Sequence, residues 1–150
     1  MTPKKSDRPS TNLKIIELSK VPREQKGQYK RGGAPEPAPH EKSTIRFLLE
    51  CGFDIELISP SNIYRSKNPD MLLSGSVWEM KSPTGSGRRT IESQFHGAGK
   101  QADNLVLDLR RIGIPDKKSK DKAIFEFTKS RGIKQLILIT KSRKIFKIKK

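Results

Sequence analysis

The sequence predicts a mixed α/β domain, with helices packed on a mixed central sheet in the order α-β-β-β-α-β-α-β-β. Three observations carry that prediction. Apolar residues make up only 32% of the chain, and from Pro39 onward they fall in short groups. Their spacing alternates between the helical repeat of about 3.6 residues and the strand repeat of 2. Gly52, the Ser74-Gly75 pair and Gly132 punctuate the groups where elements should end.

Taken in order, "HEKSTIRFLLECG" places Ile45, Leu48 and Leu49 on one helical face, with Gly52 as its stop. "FDIELI", Phe53 to Ile58, alternates as a strand. "DMLL" and "SVWEMK" are two short strands around Ser74-Gly75. "SPTGSGR" is a flexible loop. A helix from about Arg89 to Asp103 carries Ile91, Phe95, Ala98 and Ala102, although Gly97 and Gly99 weaken it at about 1 kcal/mol each. "NLVLDL" is a buried strand, and "DKKSKDKAIFEFTKSRG" a helix turning Ile124, Phe127 and Thr128 inward. "QLILIT" and "KIFKIK" close the chain, the last as a basic edge strand. Residues 1–37 read as a basic flexible tail and 38–150 as the folded domain. Within the tail, "LKIIELSKV" reads as either a short strand or a partner-binding segment.

The charge bounds the partner. Thirty-two Lys and Arg against 16 Asp and Glu give a net +16, which favours a polyanion, nucleic acid ahead of an anionic membrane. No apolar run approaches the ~20 residues of a spanning helix. Cys51 is the one cysteine, so an intramolecular disulfide and a CxxC metal site are excluded, which suits a reducing interior. "MTPKKSDRPSTNL" has no apolar core of a signal peptide. Action in the cytoplasm is the expectation, with export by a signal-independent route, or as part of a larger polypeptide, left open.

The stretch "NPDMLLSGSVWEMKSPTG" is the sharpest chemical feature. A two-residue turn at Ser74-Gly75 pairs Leu73 with Ser76, Leu72 with Val77, Met71 with Trp78 and Asp70 with Glu79. Directly opposed residues have Cβ atoms about 4.5–5.5 Å apart, and like charges so placed repel. Glu79 and Lys81 share a strand face, so Asp70, Glu79 and Lys81 converge on one side. Met71, Leu73, Trp78 and Met80 form the other, apolar side, which makes Trp78 a core residue. A hard cation such as Mg²⁺ between the two carboxylates would reverse the repulsion and could activate water for attack on a phosphodiester. The competing reading has the acids solvated or paired with Lys81 and nearby arginines.

These residues resemble a known pattern. "PD" at Pro69-Asp70 followed by "EMK" at Glu79-Met80-Lys81 resembles the PD-(D/E)XK nuclease superfamily, as does the α-β-β-β-α-β order from His40 to Leu109. The longer run "PDMLLSGSVWEMKSPTG…TIESQFHGAGKQADNLVLDL" is similar to the C-terminal tRNA-nuclease toxin domain of CdiA contact-dependent growth-inhibition proteins. The resemblance implies a PD-(D/E)XK-like core with a C-terminal α-β-β extension, making 38–150 a nuclease domain. It implies that Asp70 and Glu79 bind the catalytic metal and that Lys81 is the catalytic lysine. Glu41 on the first helix and Gln101 on the second core helix would join the same site. It also implies tRNA as substrate and an acidic immunity protein as partner.

Other residues are weaker candidates. Arg88 and Arg89, after the loop "SPTGSG", could hold the substrate backbone. His96 could contact substrate, although a lone His is more often a surface or packing residue. His40 ranks behind its neighbour Glu41. Tyr64 could stack on an unpaired base or simply pack. The loop lacks the GxxxxGK[ST] pattern, which excludes an NTP-binding P-loop. With the resemblance supplying the RNA preference, an RNA phosphodiesterase toxin is the leading expectation. A DNA endonuclease of the same fold, or a non-catalytic basic nucleic-acid-binding protein, are the alternatives, because charge alone does not separate RNA from DNA.

Overall fold

A computed structural model describes residues 12–59 and 71–150. Among them, eight strands form one mixed sheet in the order β1-β8-β7-β6-β5-β4-β3-β2. The strands are β1 (Lys14–Leu18), β2 (Tyr29–Lys30), β3 (Ile55–Leu57), β4 (Met71–Leu73), β5 (Ser76–Lys81), β6 (Asn104–Asp108), β7 (Gln135–Ile139) and β8 (Ile145–Lys149). Three helices pack on them: α1 (Pro39–Glu50), α2 (Thr90–Ala98) and α3 (Asp116–Lys129). From α1 onward the order is the α-β-β-β-α-β-α-β-β expected from the sequence.

Both faces of the sheet are covered. Leu105, Leu107, Leu136, Leu138 and Ile148 face α2 and α3, meeting Ile91, Phe95, Ala98, Ala123 and Phe127. On the opposite face Trp78, Met80, Val106, Ile137 and Ile139 meet Ile45, Phe47 and Leu48 of α1. The period-2 alternation of β6 and β7 supplies both faces at once: neighbouring residues go to opposite cores.

The hairpin has the expected register, with Met71 opposite Trp78, Leu72 opposite Val77 and Leu73 opposite Ser76. Ser74 and Gly75 have φ of 47° and 90°. Positive φ at both turn residues matches the twist of the flanking strands, and glycine takes it without a steric cost. Met71, Leu73, Trp78 and Met80 are all buried on the α1 face. Asp70 and Tyr64 lie outside the described residues.

The segment read as a flexible tail contributes both edges of the sheet. β1 runs antiparallel to β8, from Lys14 opposite Lys149 to Leu18 opposite Ile145. The closing strand β8 is therefore not an edge, as its lysines had suggested: β1 takes up its outer backbone groups. β2 pairs parallel with β3 at the far end. Just before it, the Gly27 N–H donates to the Leu49 carbonyl at 2.9 Å. A Cβ on Gly27 would sit 1.7 Å from the Phe53 oxygen, so only glycine lets the chain lie this close.

α2 ends earlier than the sequence suggested. Ala98 is its last residue, and residues 99–101 form turns. The glycines at 97 and 99 supply the reason, since each raises the cost of continuing the helix. In α3 the buried residues are Ser119, Ala123, Glu126 and Phe127, while Ile124 and Thr128 are half-buried rather than fully inward.

Candidate active site

β5 lies between β4 and β6 in the sheet. Among the described residues Ser76, Val77 and Trp78 pair with β4, whereas Glu79, Met80 and Lys81 pair with β6, opposite Leu105, Val106 and Leu107. Beside the Glu79–Lys81 stretch a cavity of about 520 Å³ opens. Glu79, Lys81, Ser82 and Pro83 form one wall, His40 and Glu41 of α1 a second, and Gln94 and Gln101 a third. Both faces of the sheet thus contribute to one space.

The first two walls are positioned by separate devices. Glu79 is only 4% exposed, and its Oε1 accepts the Met80 N–H at 3.3 Å. Glu41 is at the third position of α1, where its Oε1 accepts the Ala38 N–H at 2.8 Å. A carboxylate there caps an unpaired helix N–H and suits the positive end of the helix dipole. α1 is held down by a buried charge. Thr44 Oγ1 donates to Asp108 Oδ2 at 2.6 Å, and the Arg110 guanidinium closes on the same carboxylate, Nη2 to Oδ2 at 2.7 Å and Nε to Oδ1 at 3.0 Å. Asp108 is 2% exposed, and such a buried ion is tolerated because its oxygens are paired and hydrogen-bonded. Arg110 also lies 4.8 Å from the centre of the Phe47 ring, one turn along the same face of α1 as Thr44.

The loop after β5 is tethered to the segment after β6. Arg111 Nε donates to Ser82 Oγ at 3.1 Å, and its Nη2 to the Ser82 carbonyl. The Gly113 N–H donates to the Gly85 carbonyl at 2.6 Å. Lys81 therefore leads into a held segment, despite the run of Gly and Ser.

Of the residues singled out in the sequence, Glu41, Glu79, Lys81 and Gln101 share this cavity. Gln101 reaches it from the turn after α2, not from the helix itself. Arg89 and His96 do not reach it. They line a different cavity, between α2 and the end of α3, because residues 94 and 96 point about 200° apart around a helix. Arg88 is exposed in the turn before α2. Among the described residues no group of three His, Cys, Asp or Glu side chains gathers as a metal site, and Glu41 and Glu79 are the carboxylates that line this cavity.

Two contributors escaped the sequence reading. Gln94 falls three residues after Ile91 and four before Ala98, on the flank of the apolar stripe. A polar residue in that position was the available signal. Asp108 was read as part of a buried strand without a partner, and its neighbour Arg110 is that partner.

Residues 67–145 match the contact-dependent growth inhibition CdiA C-terminal domain, a stretch of more than half of the chain. The chain belongs to this family. That makes it a contact-dependent growth inhibition toxin domain. Its fold is similar to that in a CdiA-CT/CdiI toxin and immunity complex from Burkholderia pseudomallei, with a TM-score of 0.55 and 21% identity. The likeness covers 83% of this chain and 100% of that one. No curated protein matches the chain. No helix among the described residues is long and apolar enough to cross a membrane.

Proposed function

We propose that this domain is a nuclease toxin that hydrolyses phosphodiester bonds in RNA, with tRNA as its target, by a metal-dependent reaction of the PD-(D/E)XK type. One observation carries the reading: Glu41, Glu79, Lys81 and Gln101 line a single cavity where β5 runs beside β6. The net charge of +16 supports a polyanionic substrate.

The donor set fits a hard divalent cation such as Mg²⁺. Glu79 offers a buried carboxylate to a space with polar walls, and Glu41 offers a second across it. Oxygen ligands of this kind, with waters filling the remaining positions, suit Mg²⁺. Asp70 would be the further ligand, one register step beyond the Met71–Trp78 pair. Such an ion, when bound, supplies charge neutralisation and a more acidic water. The Lys81 ammonium would stabilise the negative charge that grows on the phosphate oxygens as water attacks phosphorus and the leaving oxygen departs. The amides of Gln94 and Gln101 would orient the phosphate without adding net charge.

The similar fold occurs in a toxin and immunity complex, and an immunity protein is the partner proposed for this chain. An acidic surface on it would meet the +16 domain quickly. The domain would act in the cytoplasm of a target cell, after delivery within a larger toxin.

The test uses purified protein with total tRNA or plasmid DNA, in Mg²⁺ or EDTA, beside Glu79→Gln and Lys81→Ala. The expected result is tRNA cleavage in Mg²⁺ by the parent alone. Cleavage restricted to DNA would mark a DNA endonuclease instead. Binding without cleavage by any form would sink the nuclease reading.

A further inference from the structure

We infer that the cavity between α2 and α3 holds a nucleotide of the same RNA strand whose scissile phosphate lies at Glu79, the strand crossing α2 over Gly97. This rests on the proposed nuclease function and adds to it a second contact, on the other side of the helix. The cavity is larger than the first, about 710 Å³, within the range of small-molecule sites. Its lining carries Arg89, His96, Lys100, Lys129 and Arg131. Glu92 and the buried Glu126 also line it and do not cancel them all: Glu126 Oε1 lies 3.2 Å from Lys122 Nζ and 3.7 Å from Lys129 Nζ. Arg89, Lys100 and Arg131 are exposed and in no ion pair among the described residues. Cations with no carboxylate partner are the ones that can exchange counterions for phosphate.

The floor of the cavity is open because two glycines meet there. A Cβ on Gly132 would stand 3.4 Å from the Gly99 Cα. The Phe95 ring, from the core, forms part of the wall.

Gly97 links the two cavities. At about 100° per residue, it faces outward between Gln94, which lines the Glu79 cavity, and Ser93 and His96, which line the basic one. A Cβ there would meet nothing within 4 Å, and Gly97 is not among the residues with positive φ. Neither packing nor backbone conformation calls for glycine, which costs roughly 1 kcal/mol in a helix. A bare helix surface does suit a ligand that lies directly against the backbone. The cavities are about one helix width apart, ~10 Å, so one strand can visit both.

The experiment measures binding of fluorescein-labelled total tRNA to the full chain carrying Lys81→Ala, across a salt series. Lys100→Ala and Arg131→Ala should each weaken binding roughly two- to fivefold and reduce the slope of log affinity against log salt by about 0.7. Lys118→Ala, an equal charge change on the exposed start of α3, should leave the slope nearly unchanged. Gly97→Ala should weaken binding with no loss in thermal midpoint. If the cavity variants and Gly97→Ala bind as their parent does, the inference is overturned, as it would be if these cations served an acidic protein surface. An equal loss from Lys118→Ala would overturn it too, marking diffuse attraction. The parent chain, which keeps Lys81 and is assayed for cleavage in parallel, separates this failure from failure of the nuclease reading. Cleavage by that form with unaltered binding by the variants overturns only the strand path; absence of both binding and cleavage overturns both.

Discussion

The two sides of α2 differ in what they present. Toward β5 the helix and its following turn offer the uncharged amides Gln94 and Gln101, facing Glu79 and Glu41. Toward α3 the same region offers Arg89, Glu92, His96 and Lys100, facing Glu126, Lys129 and Arg131, so cations outnumber carboxylates there. A carboxylate set close to several arginines would be neutralised by them and would be a poorer cation ligand. The width of one helix, ~10 Å, is comparable to the Debye length at physiological salt. Cations meant to grip a polyanion can therefore sit near the acids without pairing with them.

The largest predicted effect tests whether the two sides do different jobs. Glu79→Gln and Lys81→Ala should each lower tRNA cleavage by roughly 10²- to 10⁴-fold, the range for a group acting on the developing charge or its proton. Their tRNA affinity should change little by comparison. Gel-resolved cleavage and fluorescence anisotropy on the same preparations check this. A variant that loses binding and cleavage in parallel would erase the distinction between the two sides.

Next in size is Asp108→Ala, which would leave Arg110 beside a vacated buried site and release α1 from the sheet. Removing one member of a buried pair costs about 3–5 kcal/mol. The expected loss is about 3 kcal/mol, at the low end because the Arg110 side chain retains 14% exposure and can be hydrated. Urea unfolding measures it. Only the wall bearing His40 and Glu41 depends on this anchor, so salt-dependent tRNA binding through Lys100 and Arg131 should persist under conditions where the variant is folded. An Asp108→Ala chain of parental stability would show that α1 is held by its apolar face alone.

What was legible in the sequence follows from how local each signal is. The hairpin register could be read because a two-residue turn and a period of 2 determine it within ten residues. The helix stop at Gly52 and the apolar faces of α1, β6 and β7 are equally local. β1 could be read only as either a short strand or a partner-binding segment, because its partner β8 lies more than 125 residues away and its own residues are largely exposed. The Asp108–Arg110 pair was missed for a related reason: an acid within "NLVLDL" declares itself buried, but its contact with Thr44 spans 64 residues. The site was legible where one strand carried it, at Glu79 and Lys81. It was less so on α2, where treating the helix as running to Asp103 left unresolved which polar residues belong to which side.

The smallest predicted effect bears on the boundary between the two sides. Gly97→Ala puts a methyl group where no atom lies within 4 Å, so it adds no clash. It removes the entropy cost of a helical glycine, up to about 1 kcal/mol in an interior position. Gly97 precedes the last residue of α2, where helix formation is less complete, so a gain of roughly 0.5 kcal/mol is expected. Thermal and urea unfolding should both move upward by that small amount. If the same variant grips tRNA more weakly, the glycine exchanges stability for access to the helix surface, a trade familiar at functional positions. If it is more stable and binds as well as its parent, the outer face of α2 is inert, and the two cavities must be reached by separate parts of the substrate.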